Sequence, residues 1–116
     1  MTLLYDGKSC ILSHSVIPVI QEIEPRTVQV NDSFSIECEA SGSPFPEVSW
    51  ASHCFHPLKQ VGNTLVFEHI QLHQACTYTC LADNWQLKNG NLEHILVAMD
   101  VKIQVIVPGE LHVFND

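Results

Sequence analysis

Basic residues are scarce in this chain. Its 116 residues carry five lysines and arginines against thirteen aspartates and glutamates, a formal net charge of −8, and so acidic a surface repels phosphate backbones and anionic lipid alike. Nucleic acid is therefore not an expected partner. Uninterrupted apolar runs of the ~18 to 20 residues that a spanning helix needs are also lacking, so no membrane insertion is expected. The opening Met1-Thr2-Leu3-Leu4 makes a poor signal peptide because its apolar stretch stops at Tyr5-Asp6-Gly7-Lys8; Met1 is read as the start of an excised fragment whose native signal is missing. No serine-hydrolase elbow, phosphate-binding glycine loop or dinucleotide fingerprint occurs, so neither an enzyme nor a cofactor is expected. Helix-period segments, internal repeats and low-complexity tracts are absent too, which leaves a single β-rich domain at this length.

Cysteine, by contrast, is plentiful. Five cysteines in so short a chain argue for an oxidising compartment, secretory or extracellular. Asn31-Asp32-Ser33 is an N-glycosylation sequon that fits that compartment. Residues 1–15 read as a leader or linker that includes Cys10, and residues 108–116 as a C-terminal tail; the domain is expected over residues 16–107. Val16-Ile17-Pro18-Val19-Ile20 is a short apolar run broken by a proline, which suits an edge strand. Thr27–Val30 follows, and Asn31-Asp32 turns the chain into a strand over 33–40, where Phe34, Ile36, Cys38 and Ala40 alternate with polar residues. Further strands are expected at Glu47–Trp50, Thr64–Ile70, Cys76–Ala82 and Ile95–Val107, with a long loop over residues 85–93.

Trp50 lies twelve residues after Cys38, and Tyr78 two before Cys80. Together with Val28-Gln29-Val30, Cys38-Glu39-Ala40-Ser41-Gly42-Ser43-Pro44, Pro46-Glu47-Val48-Ser49-Trp50 and Tyr78-Thr79-Cys80-Leu81-Ala82-Asp83-Asn84, this spacing resembles the I-set of the immunoglobulin superfamily over residues 18–107. The resemblance implies an all-β fold, an immunoglobulin-like two-sheet Greek-key sandwich, in which Cys38 and Cys80 staple strands B and F, Trp50 packs on the sulfurs and the Tyr78 hydroxyl ties back a loop. Cys80 follows Cys38 by only 42 residues, too few for the extra strands of a variable-type domain. In function the resemblance implies adhesion, receptor ectodomains and secreted binding modules, not catalysis. A fainter similarity, in Cys76-Thr77-Tyr78-Thr79-Cys80 and the acidic balance, is to small secreted invertebrate immunoglobulin proteins.

The chain departs from that pattern at Gln74-Ala75-Cys76-Thr77-Tyr78-Thr79-Cys80, where cysteine and glutamine replace the usual glycine and aspartate. Cys54 lies four residues after Trp50, just as Cys76 lies four before Cys80. If strands C and F are antiparallel neighbours with Trp50 level with Cys80, then Cys54 is level with Cys76, with Cα atoms ~4.5 to 5.5 Å apart. A second disulfide, Cys54–Cys76, is expected, the alternative being two buried thiols. Cys10 is left over and could join a second copy, pair with a segment outside this chain or remain free.

Seven histidines include His53, His56, His69 and His73 around the second cysteine pair. Their spacing matches no strong metal motif, and a bonded Cys54 and Cys76 could not ligate, so no metal is expected. A cysteine-protease reading of Cys10 or Cys54 with a histidine lacks a local signature and needs a thiolate that oxidation removes. Binding surfaces remain. Trp85, Leu87 and Leu92 have no core duty by periodicity and are candidate partner contacts, with Phe45 in the turn after strand B as a second candidate. Strand G exceeds the usual length, leaving an edge that another chain, or a second copy, could extend. The expectation is a non-enzymatic extracellular protein-binding module, secreted or part of a receptor ectodomain, with a structural spacer as the rival reading.

Overall fold

The computed structural model describes residues 15–54 and 56–108. They form strands β1 (Val16–Ile20), β2 (Arg26–Gln29), β3 (Phe34–Glu37), β4 (Ala40–Ser43), β5 (Glu47–Ser52), β6 (Lys59–Val61), β7 (Thr64–Phe67), β8 (Cys76–Lys88) and β9 (Asn91–Ile106), with a 3₁₀ turn at Leu72–Gln74 before β8. One sheet has the order β2-β9-β8-β5 and the other β3-β7-β6, while β1 and β4 pair separately. All pairings are antiparallel except β2 with β9.

Proline shapes the first strand as its chemistry requires. Pro18 has no N–H to give, and the β1–β4 register shifts between Val16 and Val19 around it. The single strand expected over 33–40 is instead interrupted at Cys38-Glu39. There the Cys38 N–H bonds to the Asn63 carbonyl at 3.1 Å, and the Asn63 side-chain amide returns a bond to the Cys38 carbonyl at 2.8 Å. A side chain thus completes the ladder where the backbone leaves it. The strand expected over Thr64–Ile70 stops at Phe67, because His69 takes a positive φ of 55° that turns the chain out of line.

Between the sheets, the Cys38–Cys80 disulfide is fully buried against Trp50 and Tyr78, with Ile36, Leu65, Phe67, Ile70, Val101 and Ile103 around it. Burying each large aliphatic side chain contributes roughly 1.5 to 3 kcal/mol. The Trp50 indole N–H donates to the Asn63 carbonyl at 3.1 Å, so its one polar atom is satisfied at the core's edge.

The long loop expected over residues 85–93 does not exist. β8 and β9 pair without interruption from Cys76↔Ile103 to Lys88↔Asn91, and the connection is a two-residue turn, Asn89 and Gly90, with φ of 51° and 80°. Positive φ at both central residues is the turn whose twist matches that of the flanking strands, and Asn-Gly is its preferred pair.

Candidate protein-contact surface

Side chains alternate along β8, so Asp83, Trp85 and Leu87 share the outer face while Ala82, Asn84 and Gln86 point inward. Across the ladder Trp85 faces His94 and Leu87 faces Leu92. The Trp85 and His94 rings lie 4.8 Å apart, tilted by 35°. His94 Nε2 is hydrogen-bonded to the Asp83 carboxylate, which holds the imidazole in place beside the indole. Trp85, Leu87, Leu92 and Leu96 are exposed by 54%, 43%, 66% and 55%, an apolar cluster on the outer side of a regular hairpin. The sequence-predicted trio Trp85, Leu87 and Leu92 therefore stands together on one rigid face rather than in a loop, and Leu96, which sequence reasoning missed, joins it.

The hairpin reaches past the end of β5, whose last pairing in this direction is Glu47↔Asp83. Two buried amides hold it there. Asn84 Nδ2 donates to the carbonyls of Val16 (3.0 Å) and Pro44 (2.9 Å), and Gln86 Nε2 to those of Val16 (3.0 Å) and Ser43 (3.2 Å). Gly42 permits this approach, since a Cβ there would lie 3.2 Å from both Asn84 Nδ2 and the Val16 carbonyl oxygen. Here the usual strand pattern is inverted, with amides inward against backbone carbonyls and apolar side chains outward.

Phe45 stands apart from that cluster, 81% exposed. With Ala40, Pro46, Val48 and Asn63 it lines an open groove of about 580 Å³. The second cysteine pair lies at the opposite end of β8. Cys54 and Cys76 are bonded, with Cα atoms 6.3 Å apart, wider than the expected spacing for strand neighbours. The ladder explains the difference. Trp50↔Cys80 is in register and the His53 N–H still reaches the Thr77 carbonyl, but the Ser52 hydroxyl then accepts from the Cys54 N–H and donates to its carbonyl, bending the chain off the strand line.

Among the described residues the histidines are placed singly or in pairs. His53 Nε2 lies 3.0 Å from Thr79 Oγ1, which donates to Asp100 Oδ1 at 2.6 Å. His56 and His73 meet edge to face at 6.1 Å. Among the described residues no three of His, Cys, Asp and Glu converge to hold a metal ion. Asn31 is exposed in the β2–β3 turn at φ 74°, its Oδ1 accepting from Gln71 Nε2 at 2.9 Å. Cys10 lies outside the described residues.

Set beside known proteins, residues 17–84 match the model of the immunoglobulin domain. The chain belongs to the immunoglobulin domain family. This immunoglobulin domain is 28% identical to mouse hemicentin-2 over 113 residues, covering 90% of the chain and 2% of that protein. It is 31% identical to Drosophila melanogaster lachesin over 98 residues, 78% of the chain and 27% of lachesin. A mouse basement membrane-specific heparan sulfate proteoglycan core protein is 30% identical over 75% of the chain and 2% of that protein. The domain thus spans a small part of each of these relatives. Among solved structures, the two-domain fragment of DIP-gamma superposes with a TM-score of 0.64 at 21% identity, covering 78% of this chain and 49% of that one. Titin domain M7 gives 0.60 at 17%, covering 80% and 97%. These likenesses show the fold.

Proposed function

We propose that this immunoglobulin domain is a non-enzymatic extracellular module that binds a protein through the outer face of the β8–β9 hairpin. One observation carries the reading. Four large apolar side chains, Trp85, Leu87, Leu92 and Leu96, stand exposed together on a hairpin whose inner face is pinned by Asn84 and Gln86, and an aromatic anchor such as Trp85, ringed by side chains that exclude water, is what protein interfaces use. Phe45, at the rim of its own groove, is a subsidiary contact. Two disulfides and a basement-membrane relative support an extracellular setting, secreted or within a receptor ectodomain. The exposed Asn31 in its turn supports glycosylation there.

The test is capture of protein partners from extracellular medium by the glycosylated domain, alongside Trp85→Ala. Loss of an anchor of this kind weakens binding by about 2 kcal/mol or more, roughly thirtyfold, with an unchanged melting temperature. Equal binding of a captured partner by both proteins, measured by surface plasmon resonance, would move the contact away from this face, and capture by neither would assign the domain to a spacer role.

A further inference from the structure

The edges of the β2-β9-β8-β5 sheet are treated unequally. At the β5 edge the Gln60 side chain acts as a substitute strand, accepting from the Trp50 N–H at 3.1 Å and donating to the Val48 carbonyl at 3.0 Å. At the β9 edge, β2 covers only Ile103–Ile106. Above Ile103 no strand formed by the described residues pairs with this edge. The Val30 N–H bonds to the Ile106 carbonyl at 2.9 Å, so even-numbered residues of β9 turn their backbone groups toward that side. The β8–β9 register runs without a shift, and alternation carries the same orientation to Leu92, His94, Leu96, Ala98 and Asp100. Five successive pairs of N–H and C=O groups thus face outward along a straight strand, between the Asn89-Gly90 turn and the start of β2.

We propose that this edge pairs with a second copy of the chain, β9 against β9 in antiparallel register about a two-fold axis through Leu96. Three constraints select that arrangement. Hydrogen-bonded facing pairs must both be even-numbered, because only those present backbone groups to the edge. A centre at Val97 would bring Asn91 of the partner copy level with Ile103, the position that Arg26 of β2 already occupies. A centre at Leu96 keeps all five residues bonded and places Leu92 opposite Asp100, His94 opposite Ala98 and Leu96 opposite itself. The small Ala98 leaves room beside the Trp85–His94 stack, and no like charges face each other across the axis. The resulting eight-stranded sheet would join the two apolar clusters into one surface. This goes beyond the binding reading above and stands or falls separately from it.

Leu96 is exposed, so substitutions there leave the core untouched. In a Cys10→Ser background, Leu96→Cys is expected to form a reducible dimer under mild oxidation, since hydrogen-bonded antiparallel pairs have Cα atoms ~5.5 Å apart, within disulfide range. Ala98→Cys, equally outward but opposite His94, is expected to crosslink at least tenfold more slowly. Sedimentation velocity over a concentration series should show the wild type and Cys10→Ser associating reversibly. Leu96→Lys, which sets two ammonium groups face to face, should stay monomeric with an unchanged melting temperature. A wild-type monomer up to the solubility limit, equal crosslinking at 96 and 98, or a monomer that dimerises only after removal of residues 1–14, which would assign the edge to that segment, each overturns the proposal.

Discussion

The Tyr78 hydroxyl has one proton, and it goes to the Gln74 carbonyl at 2.6 Å. His56 Nε2, 2.9 Å away, must therefore donate to the phenol oxygen, which fixes a proton on that nitrogen. One buried side chain in this way ties the turn before β8 to the segment after β5, while its ring packs edge-on against Phe67 at 5.2 Å. Burial pushes the Tyr78 phenol up to about 12. The sign of the consequence follows: the unfolded phenol ionises near 10 and the folded one near 12, so the contribution to stability is complete below about pH 10 and is lost as pH rises toward 12. Urea unfolding should show stability falling more steeply between about pH 10 and 12 in the wild type than in Tyr78→Phe. At neutral pH that variant should be about 1 to 3 kcal/mol less stable, because the Gln74 carbonyl and His56 N–H lose their partner.

At the scale of elements, β8 carries both disulfides in one strand. Cys80 bonds across the sandwich to Cys38, and Cys76 bonds sideways to the segment leaving β5. The two cross-links have different tasks, since the first is buried in the core and the second closes the bend after Ser52. The double variant Cys54→Ala, Cys76→Ala should keep the fold and lose roughly 3 kcal/mol in chemical denaturation, the chain-entropy value for a loop of this size. A molten core by near-ultraviolet circular dichroism would show instead that the second bond is needed to form the sandwich. The register that brings these cysteines together was legible in the sequence, because two antiparallel strands step in opposite directions from Trp50↔Cys80. The hairpin beyond Asp83 was not. Its inward positions are Asn84 and Gln86 and its outward ones Trp85 and Leu87, so the alternation that marks a strand reads there with the wrong polarity. Only the Asn89-Gly90 pair gave a local signal, and it specified a turn without specifying the strands beside it.

For the whole molecule, the net charge of −8 sets the terms of any encounter with another acidic surface, including its own. Repulsion between two such chains is screened within about 8 Å at physiological ionic strength and reaches several times farther in dilute buffer. Self-association along β9 should therefore strengthen on going from low to physiological salt, the reverse of the trend for a complex held by opposite charges. The dimer fraction in sedimentation velocity at the two salt concentrations measures this.

The sequence by itself determined the sandwich, its buried staple, the register of β5 against β8 and the sidedness of most strands. Each of these depends on residue type at a fixed spacing, which backbone geometry converts directly into position. What covers a face or an edge was decided only in the tertiary structure. Asn84 and Gln86 are buried because the Val16, Ser43 and Pro44 carbonyls meet them. The β5 edge is masked because Gln60 arrives from another strand, and among the described residues the cover on the β9 edge stops at Ile103 because β2 extends no farther. Those partners are distant in sequence, and their arrival depends on how the two sheets close over one core.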